Sequence, residues 1–242
     1  MSGNSSMLEE FKKVVESRRS VRVFDGSLVP PEVVQSCLDM ALLAPNSSNL
    51  QPWEFYWART PEVKARLVEA CLSQPAAKTA AELIVCVARR GTWSRNSQRM
   101  LDLLSQQAKG VVPKWAHQYY AKLVPLMLAQ GIFNTWGIMK KIFLMFRGFM
   151  RPTPRSPVSH SDMRVWAMKS CALACENLML AFRAHGFDTC PMEGFDECRV
   201  KRLLNLPRDA EVAMVVGAGR RSAKGVYGPQ VRFERELFIK EV

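Results

Sequence analysis

The stretch Arg18-Arg19-Ser20-Val21-Arg22 follows a predicted helix and leads into Val23-Phe24-Asp25-Gly26, which is typical of a turn. In an extended chain side chains alternate between two faces, so Arg18, Ser20 and Arg22 point to one side. Guanidinium groups donate hydrogen bonds in a planar fork and keep their charge at physiological pH, which suits a phosphate. Taken alone, however, the stretch is better explained as a solvated basic patch after a helix.

The composition indicates a folded protein with an anionic partner. The chain has 242 residues, of which 48% are hydrophobic, and its formal net charge is +12. A sizeable core is therefore available, and the expected partner is a nucleotide phosphate, nucleic acid or an anionic membrane. The seven cysteines form no CxxC pair, and Cys171 and Cys175 are interpreted as small buried residues, so no metal site is expected.

The sequence shows neither the pattern of a signal peptide nor that of a membrane-spanning helix. Met1 to Ser6 is small and polar, without the basic and then apolar order of a signal peptide. The longest uncharged run, Leu123 to Met139, has 17 residues. A spanning helix needs roughly 20 apolar residues. We therefore expect a cytoplasmic protein.

Helices and strands alternate loosely, which predicts the α+β class with long helices around a small sheet. Caps, prolines and apolar periodicity predict helices over about 6–17, 30–44, 60–72, 159–185 and 196–204. Apolar runs predict strands over 54–58, 83–88, 187–192, 211–217 and, as an edge strand, 236–239.

Two further stretches carry hydrogen-bonding or close-approach chemistry. In Pro45-Asn46-Ser47-Ser48-Asn49-Leu50-Gln51-Pro52-Trp53, Ser and Asn side chains both donate and accept, which suits the polar edge of a heterocycle. In Pro191-Met192-Glu193-Gly194-Phe195-Asp196, between a strand and a helix, glycine lets backbone approach a ligand closely. Each is, by itself, also an ordinary turn.

Together with Gly225-Val226-Tyr227-Gly228-Pro229-Gln230-Val231-Arg232, these motifs resemble the nitroreductase family of FMN-dependent oxidoreductases. The resemblance covers residues 7–90 and 159–240. It implies a single nitroreductase-like domain over residues 1–242, with a small mixed or antiparallel central sheet flanked by long helices. It also implies a homodimer with a domain-swapped C-terminal tail and two FMN sites at the subunit interface.

The resemblance also implies a role for each matching residue. The implied FMN contacts are Arg18, Arg19, Ser20 and Arg22 at the phosphate and towards the ring; Arg232 closing on the phosphate; Pro45, Asn46, Ser47 and Asn49 reaching the flavin of the partner subunit; Pro191, Met192, Glu193 and Gly194 beside the reactive N5; and Gln74 at the pyrimidine edge. Two residues depart from the pattern. Gln230 stands where a basic residue is frequent, so FMN retention is expected to be weaker. Asn46 replaces a more usual serine, and neither change is expected to remove the site.

The implied activity is the reduction of nitroaromatics, quinones or a related small acceptor by NAD(P)H in a ping-pong mechanism. FMN carries the chemistry, so no catalytic side chain is assigned. One alternative keeps FMN but changes the reaction to reductive dehalogenation or dehydrogenation. A second, from another class, is a basic protein that binds a membrane or nucleic acid, although no specific nucleic acid is predicted.

The motifs do not guide the reading of residues 91–158, which we interpret as an inserted helical segment. From Leu103 to Ser161 there is no Asp or Glu, while large apolar side chains alternate with eight basic residues. A helix over about 137–149 is expected to place Lys140 and Arg147 on one side. The favoured interpretation is a lid over the acceptor site. Peripheral membrane contact through residues 126–150 is the alternative, and both fit a membrane-soluble acceptor.

The expected dimer contact involves the long helix over residues 159–185. Its small residues permit close approach of a second helix; they are Ala167, Ser170, Cys171, Ala174 and Ala181. Burial of the same residues in the core of one chain is the alternative, and both hold if they involve different faces of the helix.

Overall fold

A four-stranded antiparallel sheet lies at the centre of the structure, a computed structural model that describes residues 3–242. The strands are β1 (Trp53–Trp57), β2 (Glu82–Arg89), β3 (Asp188–Met192) and β4 (Ala210–Gly219). Their order across the sheet is β1-β2-β4-β3. Residues 83–88 of β2 are fully buried, as its continuous apolar run predicts. Met1 and Ser2, which belong to the small polar segment without a signal-peptide pattern, lie outside the described residues.

Long helices flank this sheet, which confirms the predicted α+β class with long helices around a small sheet. The helices are α1 (Gly3–Ser17), α2 (Pro31–Leu42), α3 (Pro61–Ala70), α4 (Pro75–Thr79), α5 (Trp93–Gln107), α6 (Lys114–Ala116), α7 (Val124–Leu128), α8 (Thr135–Met150), α9 (His160–Ala184) and α10 (Glu197–Leu203). A π-helical segment, His117–Leu123, joins α6 to α7. α1 begins before the predicted cap Ser6. The caps Thr60 and Asp196 accept hydrogen bonds from Val63 N and Arg199 N, as predicted.

α9 is the central helix of the core. It is long and apolar enough to cross a membrane by length and composition, but 56% of its most apolar window is buried within the fold. Its small residues pack against α2 and the sheet, and Cys171 and Ala174 are 0% exposed. The prediction that this small-residue face meets a partner subunit is therefore wrong, because the monomer core already covers it. The outward face of α9 carries Val165 and Leu173 instead, which are exposed.

The C-terminal tail does not form the predicted edge strand over residues 236–239. Arg235–Leu237 is a 3₁₀ turn, and Leu237, Phe238 and Ile239 are all exposed. A strand needs a neighbour to pair its N–H and C=O groups. Among the described residues, the tail pairs with another segment at residues 220–225, where Arg221 bridges to Phe24.

The carboxylate of Asp188, at the start of β3, joins three elements. It is 3% exposed and accepts hydrogen bonds from Arg183 Nη1 at the end of α9 (2.8 Å) and from Arg221 Nε in the tail (2.8 Å). Arg221 also donates to the Ser17 carbonyl at the end of α1 (3.3 Å). The hydrogen bond from Asp188 raises the pKa of Arg221. This network fixes the tail and the end of α1 against β3.

We predict that Asp188→Asn lowers the free energy of unfolding by about 2–3 kcal/mol, because two guanidinium groups lose their charged acceptor. Urea denaturation measures the change. The exposed Asp102, which pairs only with Gln98 across one helical turn, is the matched control, and Asp102→Asn is expected to stay within about 0.5 kcal/mol. Equal effects of the two substitutions would contradict the assigned role of the network.

Candidate active site

Backbone pairing holds the stretch after α1 in an extended conformation, as predicted. Ser20 forms a parallel bridge to Thr189 of β3, and Val21 N donates to the Thr189 carbonyl at 3.0 Å. On the other side, Arg22 N donates to the Gly225 carbonyl at 2.7 Å. The stretch therefore lies between β3 and the tail, with Val21 fully buried beneath it.

The predicted phosphate residues surround one cavity of about 320 Å³. Its lining residues are Arg18, Arg19, Ser20, Arg22, Val226, Tyr227, Gly228, Pro229, Gln230, Val231 and Arg232. Among them are four arginines and no acidic side chain. Strict alternation does not predict the presence of Arg19, whose Nη2 donates to the Gly228 carbonyl (2.6 Å) and so closes the tail over the cavity.

Gln230 orients the tail arginine of this cavity. With the amide turned to satisfy both its atoms, its nitrogen donates to the Glu16 carbonyl (3.3 Å) and its oxygen accepts from Arg232 Nη2 (3.2 Å). An arginine or lysine here would repel Arg232. Gln230, which stands where a basic residue is frequent, therefore replaces a cation with an amide that holds Arg232 in place.

The end of β3 brings the third motif beside the same cavity. Arg22 Nη1 lies 3.6 Å from Cys190 Sγ. Burial raises the pKa of Cys190, although Arg22 opposes that shift, so the thiol stays neutral and leaves the arginine charge uncompensated. Beyond β3, Gln74 Nε2 donates to the carbonyls of Cys71 (3.1 Å) and Gly194 (2.9 Å). Both amide hydrogens of Gln74 are used, so its side chain can only accept from a ligand.

The loop after α2 lies elsewhere and is fixed by its own side chains. Asn46 Oδ1 accepts from Gln51 N (2.8 Å), and Asn46 Nδ2 donates to the Ala44 carbonyl (3.3 Å). Ser48 and Asn49 have φ values of 59° and 50°. Ser and Asn tolerate this left-handed region when local hydrogen bonds support them. Asn46 therefore closes the loop that the sequence predicts to be functional.

Residues 91–158 support this loop through contacts that the sequence did not reveal. Ser48 Oγ lies 2.9 Å from Tyr119 Oη, and Tyr120 Oη donates to the Ser48 carbonyl (3.1 Å). Both tyrosines belong to the π-helical segment, a rare element often found at functional sites. Burial raises the pKa of Tyr120, so its hydroxyl remains a donor. Asn96 Nδ2 adds a bond to the Leu50 carbonyl (2.7 Å).

A second, larger cavity of about 710 Å³ lies against this loop. Its lining residues are Asn46, Ser47, Ser48, Tyr119, Leu123, Val124, Met127, Leu128, Pro154, Ser156, Pro157, Asp162, Val165, Trp166, Lys169, Ser170 and Leu173. Its apolar lining residues come mainly from α7, α9 and the segment 154–157. The charged residues that line it, Asp162 and Lys169, belong to α9.

The Nitroreductase family model matches residues 15–220 of this chain. The chain belongs to the nitroreductase family. The matched range includes residues 91–158, for which the motifs gave no guidance. Family membership supports an NAD(P)H-dependent oxidoreductase.

Individual nitroreductase relatives are distant but similar in length. The protein DrgA of Synechocystis sp. is 27% identical over 209 residues, 86% of this chain and 82% of that protein. The oxygen-insensitive NAD(P)H nitroreductase of Enterobacter cloacae is 28% identical over 204 residues, 84% of each. A protein from Exiguobacterium sibiricum that is classed as a nitroreductase, solved in complex with FMN, has a TM-score of 0.70 at 22% identity, covering 96% of this chain and 97% of that one. The similarity to the Exiguobacterium sibiricum structure supports the fold alone.

Within one chain, the predicted site residues fall into two groups. The arginine cavity lies beside β3 through the contact of Arg22 with Cys190, and Gln74 contacts Gly194 just beyond the same strand. Asn46 and Ser47 line the larger cavity, which shares no lining residue with the first. Residues implied to hold one nitroreductase cofactor are thus divided between two places on the chain.

We predict that Asn46→Ala makes the Gln51 amide exchange with solvent roughly fivefold faster, since a hydrogen bond of about 1 kcal/mol is lost. Amide hydrogen exchange followed by NMR measures this. Ser47→Ala, next in the same loop, leaves the acceptor of Gln51 in place and is the control. Unchanged exchange in the Asn46 variant would remove its role in closing the loop.

Proposed function

We propose that the chain is an FMN-dependent NAD(P)H oxidoreductase that reduces nitroaromatics, quinones or a related small apolar acceptor. The observation that carries this proposal is the cavity between Arg22 and Arg232, with four arginines, the Ser20 hydroxyl and no acidic lining residue. This donor set fits a phosphate monoester, which offers acceptor oxygens and about two negative charges.

The residues of the first group divide the task of holding FMN. Arg18, Arg22 and Arg232 neutralise the phosphate, and Arg19 fastens the tail across it. Gln74 anchors the carbonyl of Gly194 and so orients the neighbouring backbone N–H groups beside the ring. Bound FMN would supply two-electron transfer between NAD(P)H and an acceptor. A single pocket serves both co-substrates in turn, which gives ping-pong kinetics.

The proposed enzyme is a homodimer. The division of the site supports this: Asn46 and Ser47 line a different cavity from the arginines, so they reach a flavin if a second chain presents it. The tail, whose Leu237 and Phe238 are exposed in the monomer, is proposed to cross to the partner. Exposed Val165 and Leu173 on α9 remain available for the contact.

The larger cavity is proposed as the acceptor pocket. Leu123, Val124 and Met127 on one side and Val165 on the other give it apolar walls, which favours aromatic and quinone-like acceptors over small polar ones. The segment from α6 to α7 serves as its lid and also positions the loop at Ser48.

We predict that Arg22→Ala weakens FMN binding at least tenfold. A charge-assisted hydrogen bond to phosphate contributes roughly 1.5–3 kcal/mol, and about 1.4 kcal/mol is tenfold. Fluorescence titration of flavin-free protein measures the change. The exposed Arg66 on α3 offers a matched control, and Arg66→Ala is expected to bind FMN normally. A folded Arg22 variant with an unchanged titration would refute the phosphate assignment.

The purified protein is expected to be yellow, to sediment as a dimer and to oxidise NAD(P)H with aromatic nitro compounds or quinones. Absorbance spectra, analytical ultracentrifugation and an acceptor screen test these points. Turnover with a halogenated or saturated substrate instead would favour the other flavin reactions. A colourless protein that cannot be reconstituted with FMN would favour a basic binding protein and overturn the proposal.

A further inference from the structure

α8 packs onto the protein with its least apolar face. The residues turned inward are Gly137, Lys140, Leu144 and Gly148, which follow one another at three- and four-residue steps. The segment 151–158 runs along this stripe: Val158 O lies over Gly137, and the Arg155 guanidinium lies over Gly148. Because these glycines have no side chain, the Val158 carbonyl and the Arg155 guanidinium can approach the helix closely.

The large apolar side chains of α8 point away from the protein. Those exposed are Ile138, Met139, Ile142, Phe143, Met145, Phe146, Phe149 and Met150. Phe149 is 82% and Met150 84% exposed. A surface helix normally turns its apolar stripe towards the core, so α8 is inverted. A contiguous apolar face of this kind marks an interaction surface.

Two cations border this apolar face. At 3.6 residues per turn, Lys141 falls on one side of it and Arg147 on the other, each between the exposed apolar arc and the inward stripe. Both are exposed. Lys140, which the sequence analysis placed with Arg147, is instead buried, and its Nζ donates to the carbonyls of Met127 (2.6 Å) and Ala129 (3.1 Å). The cations that flank the apolar face are therefore Lys141 and Arg147.

The turn before α8 extends the same face. Phe133 has a φ of 50°, a strained conformation for a bulky side chain, and is 92% exposed. Trp136, one helical turn from Lys140, is also partly exposed. Strain that projects an aromatic ring into solvent is explained if the ring has an external partner.

We propose that α8 and the turn before it dock on an anionic lipid bilayer, with the apolar face of α8 in the interfacial region and Lys141 and Arg147 at the headgroups. Lysine and arginine reach headgroups along their aliphatic stems while the apolar face is buried. No Asp or Glu occurs between Leu103 and Ser161, and no ion pair among the described residues involves Lys141, Arg147 or Arg151.

Charge favours a membrane over a second copy of this chain as the occupant. A two-fold interface places the same surface on both sides. Where α8 lies on the two-fold axis, Lys141, Arg147 and Arg151 of one chain would meet the same cations of the other, without acidic groups from residues 103–161 to compensate. An anionic bilayer supplies the opposite charge.

Flotation of the full-length protein with vesicles tests the proposal. We expect binding to phosphatidylcholine vesicles that contain phosphatidylglycerol at low salt, weaker binding at high salt, and little binding to phosphatidylcholine alone. Phe146→Ser with Phe149→Ser is expected to lower the partition coefficient at least about tenfold. Lys141→Glu with Arg147→Glu is expected to abolish the preference for anionic vesicles.

The exposed leucines Leu28 and Leu72, 85% and 69% exposed, provide the matched control, since Leu28→Ser with Leu72→Ser removes surface apolar groups away from α8. Failure of the wild-type chain to float with anionic vesicles at low salt overturns the proposal. So does equal loss in the control, or a Phe146/Phe149 variant that becomes monomeric in ultracentrifugation while the wild type is dimeric. Flotation needs no bound flavin, so it fails or succeeds independently of the proposed enzyme activity.

Discussion

The pairing of Ser20, Val21 and Arg22 between β3 and the tail is the constraint on which the arginine cavity depends. The backbone bonds from Val21 to Thr189 and from Arg22 to Gly225 fix the register. A slip by one residue would exchange faces, turning an arginine into the core and a valine into the cavity. Asp188, the first residue of β3, reinforces this register because its carboxylate binds Arg221 of the tail and Arg183 at the end of α9.

Elements whose signals are local were predictable from the sequence. Thr60 and Asp196 cap their helices as expected, and α9 ends before Gly186, which has a φ of 82°. The apolar runs became the buried strands β2 and β4. The arginine stretch and the end of β3 also lie together as the motifs imply. For the caps and the strands, a few neighbouring residues contain enough information to fix the backbone, whereas the contact between the arginine stretch and β3 was implied by the family resemblance.

Features that depend on distant parts of the chain were not predictable. The bond from Ser48 to Tyr119 needs a π-helical turn that no local pattern marks. The small residues of α9 fit either a partner helix or the core, and only packing against α2 decides between them. Lys140 reads as a surface cation, yet its ammonium group satisfies the Met127 and Ala129 carbonyls at the end of α7. Such carbonyls have no partner within their own helix.

Lys140 also couples the outer face of α8 to the larger cavity. Burial lowers the pKa of its ammonium group, with Asp162 opposing, and its two carbonyl partners belong to or adjoin the cavity wall at Met127 and Leu128. The segment after α8 returns along its glycine stripe and contributes Pro154 and Pro157 to the same wall. α8 therefore contacts the cavity wall at two places, through Lys140 at the end of α7 and through the segment 151–158.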